Sequence, residues 1–242
     1  MLFNVLFFVA AVLGGAIASV AGFGIGSILT PTLSTAVGTK LAVAGVSVPH
    51  LVGTVLRFTI IRQHVNRRVL LSFGLASAAG GLAGALLHVR FSSVVLSYIL
   101  GALLMFAGIA GFTGVASRMR FSGPTAWLAG AASGVFGGLV GNQGGIRSAA
   151  LLGFDVEKES FVATATAIAL LVDAARMPVY FASQLHQLER AWVYVAVGTA
   201  GVVIGTLAGQ PVLRRIPTPL FRRVVAAIIL ALGIALLIHP TP

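Results

Sequence analysis

Apolar residues fill long stretches of this chain, and most charged residues gather in short intervals between them. Ten apolar elements result. In the first half they run near 2–21, 25–38, 41–61, 69–88 and 93–116; in the second, near 124–141, 145–154, 160–182, 191–210 and 217–238. A helix needs about 20 apolar residues to cross a hydrocarbon core. The second element of each half falls short of that. Glycine-rich joints, GFGIG and GLVGNQGG, sit at the starts of these short elements and break a continuous helix. Three readings of elements one and two stay open: two thin spans, a pair of half-helices meeting at mid-depth, or one kinked span.

Composition turns this pattern into a membrane protein. Of 242 residues, 58% are hydrophobic and only 9% charged, against about 25% charged in a soluble domain. Lipid must solvate most of the chain, which places it as a multi-pass protein of the cell (inner) membrane. Thirty glycines suit close helix packing in a bilayer, and the lack of cysteine excludes a disulfide scaffold. The N-terminal run MLFNVLFFVAAVLGGAIA lacks the basic region of a secretory signal, and its pattern recurs inside the chain, so it reads as mature structure. A net charge of +11 raises nucleic acid as a partner, but the arginines cluster between apolar stretches without interleaved aromatics. Orientation in the membrane explains them better.

The two halves repeat. At an offset of 119 positions Gly15 falls on Gly134, Gly22 on Gly141, Gly26 on Gly145 and Arg57 on Arg176. With small slips, Gly81 meets Gly201 and Gly84 meets Gly205. Residues 1–120 form the first membrane repeat and 121–242 the second. Charge placement gives them a direction. With an odd number of passes per half, Arg62, Arg67, Arg68, Arg118, Arg120, Lys158, Arg214, Arg215, Arg222 and Arg223 share one side, and only Lys40, Arg90 and Arg190 face the other. An even number splits the two strongest basic clusters across the membrane, against the positive-inside rule. The expected fold is therefore an all-α polytopic membrane protein of two inverted repeats, about five membrane elements each, with broken or re-entrant helices near the midplane and both termini outside. Inverted repeats with broken helices mark secondary transporters, whose site lies where the interrupted segments meet.

Three arginines, Arg57, Arg147 and Arg176, lie inside apolar stretches. Each costs about 2.5–3.5 kcal/mol on insertion scales and needs a partner or a watery cavity. Arg57 is near enough to its helix end to snorkel, and Asp173 precedes Arg176 by three residues, the spacing of an intrahelical ion pair. Pro178 is expected to interrupt that helix and open a local cavity. Their matched repeat positions favour a shared role for Arg57 and Arg176 as cationic ligands of a small anion. The broken segments supply the other half of the site, because free N–H groups at helix starts bind anions. Gly24 and Gly26 open one half-helix; Gly144 and Gly145 open the other. Asn142 and Gln143 are costly in an apolar region unless they bond something, and their counterparts in the first half are not amides, so the site is asymmetric. Arg147 follows within a turn, and Ser27, Thr30 and Ser148 are hydroxyl candidates. His50, after Pro49, is a proton relay or a histidine bonded to a carbonyl. Asp173 is the one acidic residue in an expected span and is the proton or counter-charge candidate. The histidines are scattered, so no metal site is expected. GFGIGS follows no strand, so it is not a dinucleotide fingerprint, and no cofactor or nucleophile–base pair appears.

GFGIGSILTPTL after an apolar helix, echoed by GLVGNQGGIRSAALLGF, resembles the TauE/SafE (sulfite exporter, TSUP) family across essentially the whole chain. The resemblance implies transport of small sulfur oxyanions or organosulfonates, such as sulfite or sulfoacetate. Ile25 within GFGIG and the Asn142–Gln143 pair depart from the commoner glycine-rich form. The resulting expectation is a secondary transporter for such an anion, working by alternating access; an anion channel, or a carrier of another oxyanion or a carboxylate, is the alternative.

Overall fold

A computed structural model describes residues 2–115, 124–144, 146, 147, 151, 154, 157–213 and 217–242. Among these it is helical, with no strand. The helices are α1 (Leu2–Ala21), α2 (Ile25–Val37), α3 (Thr39–Ile61), α4 (Leu75–Arg90), α5 (Ser93–Thr113), α6 (Pro124–Val140), α7 (Lys158–Arg190), α8 (Trp192–Leu213) and α9 (Thr218–Ile238). Six helical segments are long and apolar enough to cross a membrane; α2, α6 and the apolar part of α9 are shorter. The exposed large side chains are the apolar ones that lipid solvates, from Leu2 and Leu6 on α1 to Leu86 on α4 and Phe106 on α5. This is a multi-pass membrane protein.

Helix bounds follow the expected elements with informative differences. α4 is entered through a single π-helical turn at Leu70–Gly74, where the chain leaves the Arg62–Arg68 corner. The expected 160–182 element is longer, and α7 runs through Pro178 to Arg190, with its dihedral break at Gln184 instead. Proline removes only one helical hydrogen bond, and the side chains on either side of it, Arg176 and Tyr180, are both tied to carbonyls of α6. The helix continues through the proline between those two ties. The 145–154 element lies largely outside the described residues, as do Arg118, Arg120, Arg214 and Arg215.

α2 has 13 residues, about 20 Å at 1.5 Å per residue, against a core of about 30 Å. It is buried from Ile25 to Pro31. Gly14 of α1 faces Leu29 while Ile17 faces Gly24, so α2 turns back along α1. Leu33 then faces Gly45, and Ile25 faces Gly53, so α3 turns back along α2. The chain thus reverses between elements one and two, and a single kinked span is excluded.

Between the halves, contacts come in reciprocal sets. α1 packs on α8, and α6 packs on α4. Both pairs run parallel: Gly198 sits on Phe7 and Gly205 on Val12, while Gly80 sits on Ala131 and Gly84 on Val135. A Cβ on Gly205 or Gly84 would strike the opposing backbone, which is why these seams carry glycine. α5 and α9 run antiparallel, with Gly101 against Leu237 and Gly108 against Leu230. α3 and α7 do the same, His50 meeting Asp173 and Arg57 meeting Thr166. Lys40 donates to the Val89 carbonyl, and Thr39 bonds Thr241 beside the C-terminus, so those segments share one end of the bundle. The Asn66 amide bonds Thr164 near the start of α7 at the other.

Candidate functional site

The site starts from two left-handed glycines. α1 stops at Gly22 (φ 78°) and α6 at Gly141 (φ 71°), positions that disfavour any side chain. Each donates its N–H to the carbonyl four residues back, Gly22 to Ala18 and Gly141 to Gly137. Gly24 (φ 138°) then leads into α2. The breaks interlock: a Cβ on Gly26 would land on the Gly141 carbonyl oxygen, and one on Gly144 would strike Phe23. Gly145 and Ser148 lie outside the described residues.

A narrow cavity sits at this crossing. It is lined by Phe23, Gly24, Gly26, Ser27, His50, Gly141, Asn142, Gln143, Gly144 and Arg147, and its free space is of the order of one water molecule. Seven residues expected at the site therefore converge: Gly24, Gly26, His50, Asn142, Gln143, Gly144 and Arg147. Ser27 donates to Asn142 Oδ1 at 3.2 Å, which joins the two breaks. Arg147 is 1% exposed, and its Nη2 donates to the Gly22 carbonyl at 3.2 Å. Among the described residues its Nε and Nη1 have no partner, and neither does either amide atom of Gln143. Unpaired buried polar groups cost about 1–3 kcal/mol each, more when charged.

Arg57 and Arg176 do not line the cavity. Both are buried and both cap a broken helix. Arg57 Nη1 donates to the Ala18 carbonyl at 2.9 Å and its Nε to Thr166 Oγ1 at 2.8 Å. Arg57 therefore turns inward and does not snorkel. Arg176 Nη1 donates to the Gly137 carbonyl at 2.5 Å, and Ala18 and Gly137 are again 119 positions apart. Each of these carbonyls also accepts the N–H of the glycine four residues on, Gly22 or Gly141. Each arginine therefore adds a second donor to the last turn of the broken helix in its own half, and a positive charge behind the break.

Arg176 also holds Asp173 Oδ1 through Nε at 2.9 Å and Nη2 at 2.7 Å, the intrahelical pair that the spacing allowed. The other carboxylate oxygen meets His50 Nδ1 at 2.7 Å. His50 thus bonds a carboxylate, not a carbonyl, and its ring also borders the cavity.

Two donors escaped the sequence reading. Tyr180 bonds the Gly138 carbonyl, and His88 bonds that of Leu139 at 2.8 Å. With Arg176 they cap three successive carbonyls of α6. Tyr180 was findable, being four residues after Arg176 and so on the same helix face. His88 lies on α4 and gave no such signal.

The family model for the sulfite exporter TauE/SafE matches residues 7–236, nearly the whole chain. The chain belongs to this family. Membership agrees with the apolar spans and identifies a membrane transporter of the sulfur-anion exporter class. No curated protein and no solved structure matches the chain.

Proposed function

We propose that this TauE/SafE protein is a secondary transporter carrying a small sulfur oxyanion, sulfite or an organosulfonate such as sulfoacetate, by alternating access between two inverted repeats. The observation that carries the reading is the narrow cavity where both helix breaks meet, walled by an arginine and an amide whose donors are unpartnered among the described residues. Inversion is supported by the packing. Equivalent elements α3 and α7 run antiparallel, as do α5 and α9, while α1 on α8 mirrors α6 on α4.

In this reading Arg147, Gln143 and Asn142, with the Gly144 backbone, touch the anion. Gly24 and Gly26 let α2 approach it, and Arg57 and Arg176 hold the breaks while adding charge. Among the described residues the core carries three buried guanidinium groups against the single carboxylate of Asp173. That leaves two positive charges uncompensated. A dianion neutralises both and a monoanion one, so sulfite and sulfoacetate are favoured over monocarboxylates. Guanidinium forks also match the oxygen spacing of such anions. Because the cavity has room for about one water, an anion binds only when the repeats separate, as alternating access requires.

Uptake of radiolabelled sulfite into proteoliposomes of the purified protein tests the proposal. Saturable uptake, competed by sulfoacetate and weakly by acetate, is expected. Absence of both flux and anion-dependent thermal stabilisation overturns it, and unsaturable voltage-driven current establishes a channel instead.

A further inference from the structure

Taking the anion-transport reading as its basis, we infer that His50 is a proton-binding site of the transport cycle, with Asp173 as its fixed counter-charge, so that anion and proton bind together. His50 is the titratable group placed between both partners. One ring nitrogen, Nδ1, lies 2.7 Å from Asp173 Oδ2. The ring borders the same cavity as Arg147 and Gln143 and is 12% exposed, whereas Asp173 is wholly buried. Water entering the cavity therefore reaches the imidazole and not the carboxylate.

Asp173 is the rival proton acceptor and is the worse one. Arg176 occupies Oδ1 with two N–H groups and His50 occupies Oδ2. Protonating that carboxylate leaves the Arg176 guanidinium buried without a counter-ion, a heavily disfavoured arrangement. Protonating His50 breaks nothing. Its Nδ1–H already donates to Asp173, and the proton arrives on the second ring nitrogen, which no group among the described residues bonds.

The charges facing His50 set the sign. From α7 come Asp173 and Arg176; from the second break come Arg147 and the neutral Gln143; α2 presents the hydroxyl of Ser27. On its own helix Arg57 lies two turns away. With the cavity empty, the arginines oppose a further positive charge there. An anion beside Arg147 cancels that opposition, so its binding favours the imidazolium and the imidazolium favours the anion, as linkage requires. The proton comes from water when the anion enters and returns to water when it leaves.

The test is the pH dependence of sulfite affinity, measured by calorimetry on purified wild type and His50→Gln. Sulfite's own titration is common to both, so the affinity ratio isolates His50. The wild-type advantage should shrink as pH rises through the histidine range, by up to about tenfold per pH unit. A ratio independent of pH overturns the inference while leaving transport intact. Should the variant not fold, wild type alone decides. Above sulfite's second ionisation, binding in two buffers of different ionisation enthalpy should show proton uptake; zero uptake overturns the inference. Absence of sulfite binding by wild type removes the transport reading as well.

Discussion

Replacing Arg147 by glutamine should move binding and stability in opposite directions. The guanidinium is 1% exposed; among the described residues it makes one bond, to the Gly22 carbonyl, while Nε and Nη1 make none. In the empty protein the substitution forfeits that bond, worth about 1.5–3 kcal/mol for a charged donor. It also removes a buried, uncompensated charge whose penalty is several kcal/mol. The ligand-free melting temperature should therefore hold or rise. In the occupied protein the two free donors each make a charge-assisted bond to the anion, about 1.5–3 kcal/mol apiece. Their joint loss is about 3–6 kcal/mol, or roughly a hundredfold to ten-thousandfold in affinity at 1.4 kcal/mol per decade. Sulfite titration calorimetry and thermal unfolding in detergent read both quantities. An affinity within about threefold of wild type, or a clear fall in melting temperature, refutes the assignment of Arg147 as the free cation of the site.

Gly26→Ala places a methyl on the Gly141 carbonyl oxygen, where neither backbone can give way; a loss of at least about 1–3 kcal/mol and of sulfite binding should appear in thermal and binding assays, and a stable, binding variant contradicts the interlocked breaks. Asp173→Asn leaves Arg176 without its counter-ion and should destabilise by about 3–5 kcal/mol, read as a lowered unfolding midpoint; an unchanged midpoint means the pair is not a structural requirement. Because the chain has no cysteine, Lys40→Cys and Arg62→Cys serve as clean topology reporters. They should react with an impermeant maleimide from opposite faces, and labelling from one face refutes α3 as a crossing helix.

Arg147 and the two glycines that end the broken helices were visible in the chain, though with different clarity. Arg147 stands out because a charge in an apolar run is costly wherever the fold puts it. Gly22 and Gly141 stand out because a repeat exposes itself by offset alone. The role of Arg57 and Arg176 was not legible. Their matched positions suggested shared ligands, yet the carbonyls they reach, Ala18 and Gly137, lie on other helices that only packing brings alongside. Pro178 misled for a related reason: a local rule predicted a break, and the helix continues through it between ties to α6.

Sequence alone determined the solvent, the 119-residue spacing of matched glycines and arginines, the positions of the helix breaks and the excess of positive charge, since these follow from composition and spacing without reference to any neighbour. Only the tertiary structure decided which polar atoms find partners. Arg57, Arg147 and Arg176 look alike in an apolar chain. Two of them meet helix-end carbonyls brought alongside by packing, and among the described residues the third keeps two donors free at the crossing of the breaks. Hydrogen-bond satisfaction depends on atoms more than a hundred residues away in sequence, such as the Gly22 carbonyl at Arg147, and no local pattern encodes that.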